Sequence, residues 1–232
     1  MSQIALFSAQ GVIYLFKWLH IFFGIVWIGH LYYFNFVQGG FFAETDATTK
    51  SNAIQKLLPR ALWWFRYGAL FTFLTGVILL TGRYHTGTTF VNAYGIQIIL
   101  GMVLGTIMFL NVWLIIWPNQ KIVIESATLA ASGKAALPQA AAAGAKALLA
   151  SRTNTLFSFA MLFFMAGARN LTLSTDENSN FTLALWVPII LVLLIELNAI
   201  KGKLGPMATV KGVIHMGIVL TVVLYGVVEF FL

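Results

Sequence analysis

Two histidines and a lysine stand in an otherwise apolar stretch, "KWLHIFFGIVWIGHLYYFNF", at residues 17–36. Ionisable groups in a membrane-crossing segment are costly and point to function by default. Residues three and four apart share a helix face, so Lys17, His20, Gly24 and Trp27 form one stripe. A histidine followed one turn later by glycine leaves room beside the imidazole, as a flat macrocycle requires, and Trp27 can pack against the edge of that macrocycle. Histidine is the usual axial ligand of b-type haem, and Lys17 would then lie near the propionates. The stripe has a second reading, in which His20 hydrogen-bonds a neighbouring helix and Lys17 snorkels to the headgroups.

His30 lies ten residues further on, about 15 Å deeper and rotated by roughly 80° on an ideal helix. One helix therefore cannot present His20 and His30 to the same iron. His215 falls at a similar depth on the last apolar segment, with Asn111 and Glu196 at comparable depth on two others. Together His30, Asn111, Glu196 and His215 make a candidate polar cluster. It can be a second haem site or a metal site with His30 and His215 as ligands. It can equally be a proton path, or a hydrogen-bond network joining helices. His85, in the loop "TGRYHTGTTF", reads as a solvated side chain. Arg66 reads as snorkelling among Trp63 and Trp64, which fit an interfacial aromatic belt.

A membrane must hold these residues. The chain has 232 residues, 59% hydrophobic and 9% charged, with mean hydropathy +0.87. Soluble domains run near a quarter charged. Six apolar segments stand out, near 11–38, 61–82, 94–117, 153–171, 181–200 and 211–231. Each is long enough to cross a bilayer at about 20 residues per span, and the first reads as a retained span, not a cleaved signal. The fold class is all-α, an integral membrane helical bundle forming a single transmembrane domain over 1–232. The stretch 118–152 is alanine-rich and reads as a cytoplasmic loop with a short cytoplasmic or interfacial helix, Pro138 in its first turn and its end near Leu149, or as a flexible linker. Gly101 and Gly105 make a G-x-x-x-G suited to close helix packing.

Ten lysines and arginines fall in the first, third and fifth connections: Lys50, Lys56, Arg60, Lys121, Lys134, Lys146, Arg152, Lys201, Lys203 and Lys211. Only Arg83 and Arg169 fall in the others. The positive-inside rule places the first set in the cytoplasm and both termini in the periplasm. The net charge of +7 is accounted for by topology and does not indicate nucleic acid. The absence of cysteine excludes disulfides, thiolate-held clusters and a C-x-x-C-H haem attachment within this sequence. There is no G-x-G-x-x-G loop, no Walker A and no H-E-x-x-H.

The blocks "KWLHIFFGIVWIGHLYYFNF", "WWFRYGALFTFLTGVILL", "NVWLIIWPNQKIVI" and "SRTNTLFSFAMLFFM" occur in this order within residues 11–170. In that order and spacing they resemble the membrane domain of the bacterial membrane-bound urate oxidase (urate hydroxylase) family. Its members carry a C-terminal cytochrome c domain on the outer side, which this sequence does not contain. The W-L-H element also resembles a wider set of membrane haem proteins, including the bacterial membrane protoporphyrinogen oxidase and copper-resistance membrane proteins. The resemblance implies a haem role for His20, with electrons leaving through a separate cytochrome c or a quinone. His30 departs from the family pattern, in which a small residue stands there.

These readings give as the leading expectation a b-haem-binding redox or electron-transfer protein of the bacterial inner membrane. The alternative is a cofactor-free accessory or assembly subunit of a larger membrane complex or homo-oligomer. A third reading is a small transporter with His30, Glu196 and His215 as a relay.

Overall fold

The computed structural model describes residues 4–85 and 90–232, with side chains for all of these except 83–85. His85 and Arg83 thus lie outside the described side chains.

Among the described residues six helical stretches are long and apolar enough to cross a membrane: Ala9–Glu44, Ala47–Gly82, Ala93–Ala131, Ala140–Asn170, Phe181–Lys201 and Val210–Phe231. The first comprises α1 (Ala9–Tyr32), a π-helical turn (Tyr33–Gln38) and α2 (Gly39–Glu44). The second comprises α3 (Ala47–Asn52), a π-helical turn (Ala53–Leu57) and α4 (Leu58–His85). The third comprises α5 (Ala93–Leu110), a π-helical turn (Asn111–Ile116) and α6 (Trp117–Ala131). The remaining spans are α7 (Ala140–Asn170), α8 (Phe181–Lys201) and α9 (Val210–Phe231).

Local chemistry sets the starts. Ser8, Asn92, Asn180 and Thr209 precede α1, α5, α8 and α9, and each side chain accepts a backbone N–H of the first turn. Such caps satisfy donors that the helix itself leaves unpaired. Asp46 does the same for α3 through Thr48 and Thr49.

The stretch 118–152 is not a loop. α6 continues through it to Ala131 and α7 begins at Ala140, so only residues 132–139 are connecting. Alanine gives little hydropathy signal yet is the best helix former, and the run 140–150 simply extends the helix beyond the apolar segment. Pro138 sits in the turn before the helix, not in its first turn.

α7 is the central element, with 72% of its apolar window buried against 11% for the first span. It packs on α5, α6, α8 and α9. Gly101 lets α5 approach it, since a Cβ there would meet the Met165 side chain at 3.0 Å. α1 and α4 form a close antiparallel pair on the flank. A Cβ at Gly68 would lie 3.0 Å from the Trp27 backbone nitrogen, so glycine permits the contact. Phe73 stacks on Phe109 with ring centroids 4.5 Å apart, joining this pair to α5. Arg66 adds a second joint. Its guanidinium lies 3.4 Å from the Trp117 ring centroid, and its Nε donates to Leu62 O. It is thus stacked between spans.

Candidate functional site

The three π-helical turns all occur in the half of the bundle that carries the basic connections. A π turn widens the helix and releases carbonyls from the i−4 ladder, and such turns recur at functional sites. Amide side chains add hydrogen bonds to carbonyls in and beside these turns. Asn35 Nδ2 donates to Leu31 O, Gln55 Nε2 to Ser51 O and Asn119 Nδ2 to Ile115 O.

Around α7 these turns assemble a buried polar layer. Asn35 Nδ2 also donates to Ser151 Oγ at 2.8 Å. The Tyr32 hydroxyl lies 2.9 Å from Ser158 Oγ. Ser158 Oγ gives its own proton to Thr155 O, so the Tyr32 hydroxyl donates. Asn111 Nδ2 donates to Asn154 Oδ1 at 2.9 Å and to Glu196 Oε2 at 3.0 Å, while Asn154 Nδ2 donates to Met108 O. Asn35, Asn111, Arg152, Asn154 and Ser158 are all buried.

The cluster expected from the sequence is therefore half assembled. Asn111 and Glu196 meet directly, and Asn111 is also held by Asn154, a residue at a span boundary that the sequence does not single out. His30 and His215 are not in it. α1 and α9 each pack on α7, His215 is exposed on α9, and His30 lines a cleft toward α4. Depth along the chain was legible, but the angular position of each helix around α7 was not. Among the described residues no group of three or more His, Asp or Glu forms a metal-binding set.

The three histidines whose side chains are described share one feature. His30 Nδ1 lies 2.7 Å from Val26 O, and His215 Nδ1 lies 2.7 Å from Lys211 O. A carbonyl only accepts, so Nδ1 carries the proton and the neutral ring has its lone pair on Nε2. His20 Nδ1 lies 3.1 Å from Thr75 Oγ1. That hydroxyl spends its proton on Phe71 O or Thr72 O, so His20 also donates through Nδ1. A histidine fixed in this way is prepared to ligate through Nε2.

Room distinguishes them. The stripe of His20, Gly24 and Trp27 faces α4. A Cβ on Gly76 would lie 3.1 Å from His20 Cε1, and one on Gly24 would lie 4.0 Å from Thr72 Cγ2. The close approach is at Gly76, not at Gly24, and Trp27 is buried with its Nε1–H unpartnered. Lys17 is half-buried at the far end of the stripe. His30 instead lines a cleft of about 530 Å³ with Gly29, Tyr33, Arg60 and Trp64. A Cβ on Gly29 would meet nothing within 4 Å. Space beside an imidazole is thus found at His30. Its walls are apolar and aromatic, with one guanidinium at the basic end.

No curated protein and no solved structure matches the chain. The family described as Urate oxidase N-terminal matches residues 88–225. The match takes in α5 to α9, with the buried polar layer of α7, and leaves the α1–α4 pair outside. It spans more than half of the sequence, and the chain belongs to the urate oxidase N-terminal family.

Proposed function

We propose that the chain is a membrane-embedded b-haem-binding redox module that passes electrons to a separate cytochrome c or quinone. The observation that carries this reading is the His30 cleft. It combines an imidazole with a free Nε2 lone pair, apolar walls, the open Gly29 face and the cation of Arg60. Those residues fit a flat, apolar macrocycle bearing carboxylates. His30 would ligate the iron, Tyr33 and Trp64 would pack against the ring, and Arg60 would meet a propionate. Haem supplies one-electron chemistry, with its potential set by axial ligand and burial. The chain's own part is to hold the imidazole tautomer through Val26 O and to exclude water with aromatic walls. His20 remains a rival ligand with its tautomer fixed by Thr75, as does His215 on the opposite flank. The proposed setting is a bacterial inner membrane with both termini periplasmic, supported by the charge bias of the connections.

The test is an oxidised and dithionite-reduced spectrum of the purified protein, with a pyridine haemochrome assay. The expected result is a b-type Soret band that His30→Ala abolishes and His20→Ala retains. Loss in His20→Ala alone would move the ligand to the stripe. A clean protein without chromophore, after expression with ample haem, would overturn the reading.

A second reading, a cofactor-free subunit of a larger membrane complex, is favoured by one observation. The His20 ring is already engaged by Thr75 and closed in by Gly76, as a helix-packing histidine would be. It predicts co-purification with a complex and no chromophore.

A further inference from the structure

We infer that Arg152 is the core of an oxyanion-binding site at the membrane boundary, one that takes the phosphate group of an anionic lipid or a free phosphate.

Arg152 falls in a connection by sequence, yet it is 7% exposed within α7. Its Nε and Nη1 are buried without a hydrogen-bond partner. A buried guanidinium without an anion is a large uncompensated cost. The chain itself has no acid to offer. No Asp or Glu occurs between Glu125 and Asp176, or between Glu196 and Glu229. Glu196 is engaged by Asn111. Glu44, Asp46 and Glu125 are exposed.

Helical register shows where the guanidinium points. Arg152 and Phe159 are seven residues apart and share a face to within about 20°. Phe159 packs against Gly217 of α9, where a Cβ would lie 2.5 Å from its ring. α9, two spans on, runs parallel to α7, so seven residues back from Gly217 the partner of Arg152 is Val210, in the first turn of α9. The contact between α7 and the turn Gly205–Ala208 agrees with this register. The first turn of a helix offers unpaired N–H groups and the positive end of its dipole. Lys203 and Lys211 flank the same turn. Every charge at this corner is positive.

Depth favours a phosphate. Thr153–Asn170 spans roughly 27 Å at 1.5 Å per residue, close to the hydrocarbon thickness of a bilayer. Arg152 then stands where headgroup phosphates lie. Arg binds such oxyanions through parallel N–H donors. This proposal is independent of the haem reading, since it concerns another face and another ligand.

The test is thermal unfolding of the full chain in three settings. These are phosphatidylcholine nanodiscs, the same with phosphatidylglycerol added, and phosphatidylcholine nanodiscs in inorganic phosphate. The wild type should gain about 4 °C or more from phosphatidylglycerol. Arg152→Met should match or exceed the wild type in phosphatidylcholine alone and gain nothing from phosphatidylglycerol. Lys146→Met, a neutralised exposed lysine, should keep the gain. A gain from inorganic phosphate as well would support the site and assign it to free oxyanion. No gain from either, or a gain retained in Arg152→Met, would overturn the proposal. If Arg152→Met does not fold, native mass spectrometry of Arg152→Lys decides. Retention of phosphatidylglycerol should fall below that of the wild type, and equal retention would overturn the site.

Discussion

The side-chain amides of Asn111 and Asn154 are locked to each other across two spans, Nδ2 to Oδ1, at 2.9 Å. Because Asn154 Nδ2 goes to Met108 O and the second Asn111 N–H goes to Glu196, neither amide can flip without losing a partner. The pair ties α5 and its π turn to α7 and α8 at the depth where the bundle is most polar. Hydrogen bonds of this kind between membrane helices contribute about 0.6 kcal/mol on average and up to about 2.

Asn154→Leu should therefore destabilise the bundle by about 1–3 kcal/mol, since Asn111 and Met108 O are left short of partners. Asn111→Ala with Asn154→Ala should cost less than the sum of the two single changes. Unfolding of the four proteins in mixed micelles measures the coupling, and strict additivity would mean the amides act independently.

Two glycines on neighbouring helices should respond in opposite ways. Gly68→Ala places a methyl against the Trp27 backbone at 3.0 Å, so the α1–α4 pair must separate and stability should fall. Gly29→Leu meets open space in the cleft, so the fold should persist while any ligand beside His30 is displaced. Melting temperature together with chromophore content separates the two effects.

Arg66→Ala should lower stability by about 1–2 kcal/mol through loss of the stacked contact on Trp117. Lysine should restore only part of this, because a point charge on a flexible stem does not stack. Tryptophan emission reports the change directly. An unaltered spectrum in Arg66→Ala would exclude the contact.

Outside the membrane, the Asp46 carboxyl is held below the usual carboxylate range by hydrogen bonds from Thr49, then from the Thr48 backbone. A depressed folded value means that the cap contributes above the unfolded carboxylate range and is lost as pH falls through the folded one. Amide exchange at Thr48 and Thr49 should accelerate on acidification. Asp46→Asn, which keeps the acceptor without the titration, should show no such pH dependence.

The spans were legible because length and hydropathy are local properties. A run of about 20 apolar residues has one physical solution in a bilayer, the helix with its backbone satisfied internally. The alanine-rich stretch was misread for the same local reason in reverse, since alanine is weak in hydropathy and strong in helix propensity. The site divides along another line. His20 and His30 were visible as ionisable residues in an apolar stretch, and their separation to different faces followed from helical geometry. Asn154 and Arg152 were invisible as site residues, because in sequence they border a basic connection where polar side chains cost nothing.

The sequence by itself determined an all-α membrane bundle, the number of spans, the charge asymmetry of its ends and the family. Tertiary structure decided which faces meet. It turned the His20 stripe onto α4, opened a cleft at His30, joined Asn111 to both Glu196 and Asn154, and buried Arg152 within α7 with its Nε and Nη1 unpartnered. Periodicity fixes each residue's angle on its own helix, but the rotation of one helix against the next is set by packing of small residues and polar contacts between spans distant in sequence.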